Sequence, residues 1–135
     1  MVNAAVTVSE PRAAALKAAN QPSPPPVPIR ALIDTGASGT CVDPSVLLSL
    51  QLTPTGTVSV ATPSTGTVPF VAPQYDVAIV IPGGPGDTPL IIPAVAVLAT
   101  ELLAPQGFHA LIGRDILARC ILHYNGSTGL FTIAF

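Results

Sequence analysis

The chain has few charged residues for its length. Of its 135 residues only 9% are charged, five are lysine or arginine, and the formal net charge is −2. Domains that bind nucleic acids neutralise phosphates with clustered lysine and arginine, which this composition does not supply. We therefore expect no nucleic-acid partner. Because so few polar side chains are available to cover the surface, some apolar surface should meet another chain.

Cysteine is scarce, and no apolar run is long. The two cysteines, Cys41 and Cys120, are not in a metal-ligand spacing, so the sequence predicts neither a metal site nor another cofactor. The longest apolar run, Pro89 to Ala99, is too short to span a bilayer and contains Pro93. The first residues lack the basic start and apolar core of a signal peptide. Cytoplasm is the default expectation, although the soluble part of a larger or membrane-bound parent would look the same.

Many short β-type segments alternate with turn residues. An alanine-rich stretch predicts a helix at Glu10 to Asn20, and Asp43 followed by Pro44 is typical of a helix start leading into Ser45 to Leu50. A further helical turn is expected at Asp115 to Arg119. The predicted strands are Ala4–Val8, Ile29–Ile33, Thr57–Ala61, Thr67–Val71, Tyr75–Ile81, Leu90–Leu98 with an interruption at Pro93, Ala110–Ile112, Ile121–Tyr124 and Leu130–Phe135. This pattern indicates a mostly β domain, barrel-like or sandwich-like.

The most informative stretch is ALIDTGASGTCVD, Ala31 to Asp43. Here an apolar strand delivers one carboxylate, Asp34, directly into a Thr-Gly turn, and Asp-Thr-Gly occurs once in the chain. A carboxylate at the end of a buried strand is costly unless it is hydrogen-bonded or paired. Two interpretations are open. Asp34 stabilises the turn by accepting backbone amides while Gly36 supplies a positive φ, or Asp34 has a chemical role.

The neighbouring segments resemble the retropepsin family, the retroviral-type aspartic proteases. The segments are ALIDTGAS, a flap-like hairpin, QYDVAIVI, ALIGRDIL and a closing GLFTIAF. Four of them correspond in order to the family's catalytic turn (Leu32 to Ala37), its flap (Val58 to Val71), the start of the helix behind the active site (Leu111 to Arg114) and the final strand of the dimer sheet (Leu130 to Phe135), and QYDVAIVI lies between the flap and that helix. The resemblance implies a mostly β, closed retropepsin-like barrel (the acid protease fold) with a flap hairpin and one short C-terminal helix over residues 29–135. Residues 1–28 would be an N-terminal strand plus an Ala/Pro-rich insertion or linker.

The resemblance implies an aspartic endopeptidase that hydrolyses extended polypeptides. Such enzymes need two carboxylates that share one proton around a water molecule. A chain with one Asp-Thr-Gly supplies half of this pair, so we expect a homodimer with one catalytic Asp34 from each chain. Thr35, Gly36, Ala37 and Ser38 are implied to support the turn and the dimer. Because Ala37 stands where many pepsin-like enzymes have a serine donor, we expect a pH optimum closer to neutral than theirs, and an optimum below about pH 3 would contradict this.

Two further groups of residues follow from the resemblance. The flap would comprise Ala61, Thr62, Pro63, Ser64, Thr65 and Gly66, a tip with one glycine and a proline. The support behind the active site would comprise Leu111, Ile112, Gly113, Arg114 and Asp115. In retroviral enzymes the arginine at the position of Arg114 pairs with an acid two residues after the catalytic glycine. This chain has Ser38 at the position of that acid. The partner of Arg114 is therefore open, and the candidates are Asp43, Asp115, backbone carbonyls and the partner chain. Apolar pocket walls are expected from Leu32, Val58, Val60, Val68, Ile92 and Val97.

Two alternatives to an active protease remain at this stage. The same fold can act as a catalytically weak dimerisation or peptide-binding module, an alternative that the unusual flap tip keeps open. An unrelated β domain with a chance Asp-Thr-Gly is the other.

Overall fold

The computed structural model describes residues 1–61, 66–102 and 104–135. Within these ranges it contains nine strands and three α-helices. The strands are β1 Val2–Val8, β2 Val27–Ile33, β3 Cys41–Val42, β4 Gly56–Val60, β5 Phe70–Ile81, β6 Leu90–Ala99, β7 Ala110–Ile112, β8 Ile121–Asn125 and β9 Leu130–Ala134. The helices are α1 Glu10–Ala18, α2 Pro44–Ser49 and α3 Arg114–Leu117, with a short 3-10 turn at Ala104–Gln106. None of the helices in these ranges is long and apolar enough to cross a membrane.

Six of the strands form a closed barrel. Neighbouring strands follow the order β1, β2, β7, β3, β6 and β5, and β1 also pairs with β5, which closes the ring. Most of the ladders are antiparallel, but β2 runs parallel to β7 and β3 runs parallel to β6. β4 extends the wall by pairing with β5, and β8 pairs with β9 in a separate two-stranded sheet. The expected mostly β barrel with few helices is confirmed.

The barrel interior is filled by residues that alternate along the strands. On β5, Val77, Ile79 and Ile81 are buried, because every second side chain of a strand points to the same side. They join Val6 of β1 and Ile112 of β7 in one hydrophobic cluster. Burial of this cluster is the main force that holds the strands that carry Asp34 in position.

Pro93 lies inside β6 without ending the strand. The β5–β6 pairing passes from Val77 opposite Val95 to Ile79 opposite Ile92, so one residue of β5 faces two of β6. Proline lacks the amide that a regular ladder needs, and a bulge is a position where this loss is tolerated. The predicted interruption at Pro93 is a bulge in a continuous strand.

The N-terminal residues contribute a wall of the barrel. β1 pairs with both β2 and β5, and Ser9 caps the following α1. The helix ends where Asn20 adopts a φ of 54° and the Gln21 amide donates to the Leu16 carbonyl at 2.8 Å, a common way to satisfy the last carbonyls of a helix. Residues 21–26 contain no helix or strand, and β2 starts at Val27.

Three features of the strands differ from the prediction by more than a shift of one or two residues at an end. β5 is one twelve-residue strand, where two strands with a gap were predicted. Because the β4–β5 ladder ends at Val60 opposite Phe70, residues 61–69 connect the two strands, a longer connection than the predicted five-residue tip. β3 was not predicted, since a two-residue strand has no periodicity to detect.

Candidate active site

The Asp34 carboxylate lies at the exit of β2, in a turn braced by backbone amides. The Asp34 amide donates to the Ile112 carbonyl at 2.9 Å, which extends the β2–β7 ladder by one residue. Asp34 Oδ1 accepts the amides of Gly36 at 2.9 Å and Ala37 at 3.2 Å. These two bonds fix the orientation of the half-buried carboxylate and do not use Oδ2. The backbone-amide part of the turn-stabilising interpretation is confirmed, and it is compatible with a chemical role for the same side chain. The positive φ expected of Gly36 is wrong; a Cβ atom on Gly36 would lie 3.2 Å from Asp34 Oδ1, so glycine there leaves room for the carboxylate.

Gly113 lets the start of α3 approach the Asp34 turn from behind. A Cβ atom on Gly113 would lie 2.6 Å from the carbonyl carbon and oxygen of Gly39 and 3.1 Å from the carbonyl oxygen of Ala37. Just after it, the Arg114 amide donates to the same Ala37 carbonyl at 2.9 Å. The predicted support residues Leu111 and Ile112 precede this contact in β7, next to β2. A side chain at position 113 would therefore push the support away from the turn.

A buried polar cluster ties the segment that follows the Asp34 turn to α3. Thr40 is completely buried, and its amide and hydroxyl donate to the Asp115 carboxylate at 3.0 and 2.8 Å. The same hydroxyl accepts the Gly113 amide at 3.1 Å, and Asp115 also accepts the Ile116 amide at 2.9 Å. Asp115 was predicted to lie behind the site, but Thr40 was missed. The available signal was weak: a carboxylate next to an apolar strand needs donors, and a distant threonine can supply them.

The Arg114 guanidinium connects α3 to the Asp34 turn by hydrogen bonds. Its Nη1 donates to the Thr35 carbonyl at 3.1 Å and the Gly36 carbonyl at 3.3 Å. Of the partners that the sequence left open for Arg114, the structure shows backbone carbonyls. Ser38, at the position of the acid in retroviral enzymes, is exposed at the surface, as is Thr35.

Asp43, the acid nearest to Asp34 in sequence, has a structural role. It caps α2 by accepting the Ser45 amide at 3.0 Å and the Ser45 hydroxyl at 2.6 Å, and it accepts the Leu102 amide at 2.9 Å. Burial alone would raise the pKa of Asp43, but these hydrogen bonds and the nearby His109 outweigh burial and lower the pKa below its ordinary value. Asp43 is therefore held ionised as part of the scaffold.

Cys41 lies on β3 beside the site but is not suited to act as a nucleophile. Burial raises the pKa of its thiol; a hydrogen bond with Thr100 opposes this, and the charges of Asp115 and Asp34 raise it further. A protonated thiol is a poor nucleophile. Among the described residues, no group of three or more His, Cys, Asp and Glu side chains is placed to hold a metal ion.

The predicted flap corresponds to the β4–β5 hairpin, and its tip is only partly described. Thr62, Pro63, Ser64 and Thr65 lie outside the described residues. Ala61 follows β4, and Gly66 has a φ of 61°, which favours glycine. Beyond it, the large apolar side chains of Val68, Phe70 and Val71 are exposed, so the hairpin presents apolar surface.

The predicted pocket walls are partly wrong. Leu32 and Val68 are exposed, and Val58 and Val60 of β4 are half-buried, so these four are accessible. Ile92 and Val97 are 1% and 0% exposed and belong to the barrel core, so they cannot line a substrate pocket. The error arose because nearly every residue of β6 is apolar, and its inward and outward faces cannot be told apart by polarity.

An apolar cavity of about 310 Å³ adjoins the Asp34 turn. It lies between the end of β2 and the β8–β9 hairpin and is lined by Met1, Leu32, Ile33, Thr35, Leu122, Tyr124 and Phe131. The hairpin also exposes four large apolar side chains, those of Ile121, Tyr124, Leu130 and Phe135. The surface next to Asp34 is therefore apolar and unusually accessible for a folded domain.

A model of the aspartyl protease family matches residues 19–116, which is more than half of the chain. The chain belongs to the aspartyl protease family. Because this is a retropepsin-like family, the resemblance seen in the sequence is confirmed. Comparisons with curated proteins and with solved structures gave no match. The matched part of this aspartyl protease domain includes the Asp34 turn, the β4–β5 hairpin and the start of α3, whereas the β8–β9 hairpin follows it.

Proposed function

We propose that this aspartyl protease domain is an endopeptidase that works as a homodimer, with one Asp34 from each chain. The observation that carries the proposal is a single Asp-Thr-Gly turn whose carboxylate is oriented by the Gly36 and Ala37 amides and is partly accessible. One carboxylate cannot act as base and acid at the same time, whereas two that share a proton can. A two-fold axis beside the turn supplies the second one.

In the proposed mechanism, a water molecule lies between the two Asp34 side chains. The ionised Asp34 accepts a proton from the water molecule while the water oxygen attacks the scissile carbonyl carbon. The protonated Asp34 of the other chain donates its proton to the carbonyl oxygen. The resulting diol collapses when a proton passes to the leaving amine and the carbon–nitrogen bond breaks. The products are a carboxylic acid and an amine, and the protein forms no covalent bond to either.

The β8–β9 hairpin supports a dimer on the side of the catalytic turn. An isolated two-stranded hairpin is marginal in water, yet this one exposes Ile121, Leu130 and Phe135 and pairs with no barrel strand among the described residues. Its inner side chains share a cavity with Leu32 and Thr35. Pairing of two hairpins around a two-fold axis would cover this surface and bring the two turns together.

The proposed substrate is an extended polypeptide with apolar side chains. Among the described strands, β4 is at the end of the sheet order and pairs only with β5, and an extended peptide can add to such an edge. Accessible apolar residues on or near it, among them Val58 and Val68, favour apolar side chains in the peptide. Ala37 beside the carboxylate remains the reason to expect a pH optimum nearer neutral than that of pepsin-like enzymes.

A mixing experiment tests the shared active site. Wild type and Asp34→Asn are co-refolded in varied ratios at constant total concentration, and cleavage of a denatured polypeptide is measured across about pH 3 to 8. If each active site needs two Asp34 side chains, equal mixing leaves about one quarter of the wild-type activity, because only that share of random dimers has both carboxylates. Asp76→Asn, an exposed acid on β5, is the matched control and should dilute nothing.

Two results would contradict the proposal. Activity that falls in direct proportion to the wild-type fraction would place a complete site in one chain. Full cleavage by Asp34→Asn alone would remove Asp34 from the chemistry, because an amide cannot act as the base. A protein that sediments as a dimer but cleaves nothing, with or without a statine-type inhibitor as binding probe, would instead favour a peptide-binding module.

A further inference from the structure

The segment between α1 and β2 is an exposed proline-rich stretch that the proposed proteolysis does not use. Residues 21–28 read QPSPPPVP, and five of these eight are proline. Each proline fixes its own φ, and the residue before a proline is restricted to extended or polyproline II conformations. Residues 21–26 contain neither helix nor strand. The local sequence therefore dictates a polyproline II segment, a left-handed helix with three residues per turn.

The exposure of the segment follows this three-residue period. Pro24 and Val27, three residues apart, are half-buried. Pro24 lines a small cleft together with Leu16 of α1 and Leu50 after α2. Pro22, Pro25 and Pro28, the proline ridge, are all exposed. Pro22 also borders this cleft, and Pro28 already belongs to β2. Pro24 and Val27 thus face the domain, while the ridge presents three exposed prolines in a PxxPxxP spacing that runs from the start of the segment into β2.

Both ends of the segment are anchored in the folded domain. At its start the Gln21 amide donates to the Leu16 carbonyl at 2.8 Å. At its end Val27 and Pro28 pair with Val6 and Ala5 of β1. A ligand held in its bound conformation loses less conformational entropy on binding than a free peptide does. The proline ridge is therefore preorganised for recognition.

The surroundings of the ridge are basic, although the whole chain is acidic. Arg12, Lys17 and Arg30 are three of the chain's five basic residues, and all three are exposed. Glu10 is the one acidic residue between Ser9 and Ile33. Pro28 and Arg30 are two apart on β2, so they lie on the same outward face. A partner that covers the ridge would gain from acidic residues next to its proline-binding surface.

We propose that the proline ridge is a docking site for a polyproline-recognition domain, one with an aromatic-lined groove and an acidic rim. Such grooves, found in SH3 and WW domains, accept the PxxP spacing of a polyproline II helix. Pro25 and Pro28 fill the groove, and Arg30 contacts the acidic rim. Docking at this site recruits the protease domain to a partner without occupying the Asp34 turn.

The test is a binding measurement with the full chain. Immobilised wild-type protein is probed with a panel of purified SH3 and WW domains, and the tightest binder is titrated by calorimetry. Pro25→Ala/Pro28→Ala should weaken binding by about tenfold or more, and Arg30→Glu should weaken it in a salt-dependent way. Pro85→Ala/Pro89→Ala, which changes two exposed prolines of the β5–β6 loop, is the matched control and should bind like wild type.

The outcomes separate cleanly. Far-UV circular dichroism verifies that each variant is folded, and Arg30→Glu tests the same surface without altering a proline. Binding that depends on Pro25, Pro28 and Arg30 and is competed by a soluble PxxP peptide supports the proposal. Absence of binding to every domain of the panel overturns it, and so does binding that is equal in wild type and Pro25→Ala/Pro28→Ala.

Discussion

Gly113→Ala should damage the support of the catalytic turn more than its single added methyl group suggests. The new Cβ would lie 2.6 Å from two backbone atoms of Gly39, and backbone atoms cannot rotate away as a flexible side chain can. Overpacking of this kind costs about 1–3 kcal/mol. Moving α3 back to relieve it also lengthens the Arg114 amide bond to Ala37 and the Gly113 amide bond to Thr40, each worth about 0.5–1.5 kcal/mol net.

The expected loss is therefore roughly 2–6 kcal/mol in the free energy of unfolding. For a domain of this size, that lowers the melting temperature by about 6 to 24 °C, measured by thermal denaturation at one fixed protein concentration. Gly39→Ala is the matched control, because a Cβ there meets nothing within 4 Å and its φ lies outside the left-handed region. A Gly113→Ala protein as stable as Gly39→Ala would refute the close-approach reasoning.

Two further predictions concern the polar groups around the turn. Thr40→Val should lower the free energy of unfolding by about 2–4 kcal/mol, because it removes a buried hydrogen bond to the Asp115 carboxylate and leaves the Gly113 amide without its acceptor. Thr40→Ser keeps the hydroxyl and should lose clearly less free energy of unfolding in urea denaturation. Equal losses in the two variants would show that the hydroxyl is unimportant. Since the folded pKa of Asp43 is lowered, its stabilising contribution is present above its unfolded pKa of about 3.9 and is lost as the pH falls through the folded value. The free energy of unfolding of wild type should therefore drop more steeply below about pH 4 than that of Asp43→Asn, and parallel curves from urea denaturation between pH 2 and about 7 would contradict the assignment.

Sequence reasoning located the Asp34 turn and the strand and helix start behind it because these positions follow local rules. A strand followed by Asp34 and a glycine predicts a turn, and a short apolar strand ending at Gly113 predicts its neighbour. The β8–β9 hairpin was also found, with strands within a residue of the predicted bounds, because β-rich runs flank a clear turn.

The parts that were missed depend on contacts between distant residues. Thr40 meets Asp115 across 75 positions of sequence, and β3 is recognisable as a strand only by its pairing with β6 and β7. The inward face of β6 could not be chosen, because polarity does not distinguish Ile92 from exposed Ile91. The partner of Arg114 stayed open for the same reason: it is two backbone carbonyls, which every sequence provides.

The distance between the Asp34 turn and the residues that brace it has a consequence for biosynthesis. When the ribosome has made Asp34, the carbonyl of Ile112 and the Asp115 carboxylate are still more than seventy residues away, as the spacing of the Thr40–Asp115 bond indicates. Contacts so far apart in sequence form late. A nascent or prematurely terminated chain thus carries the aspartate without its scaffold, and the proposed peptide cleavage would arise only after the segment up to α3 has been translated and folded.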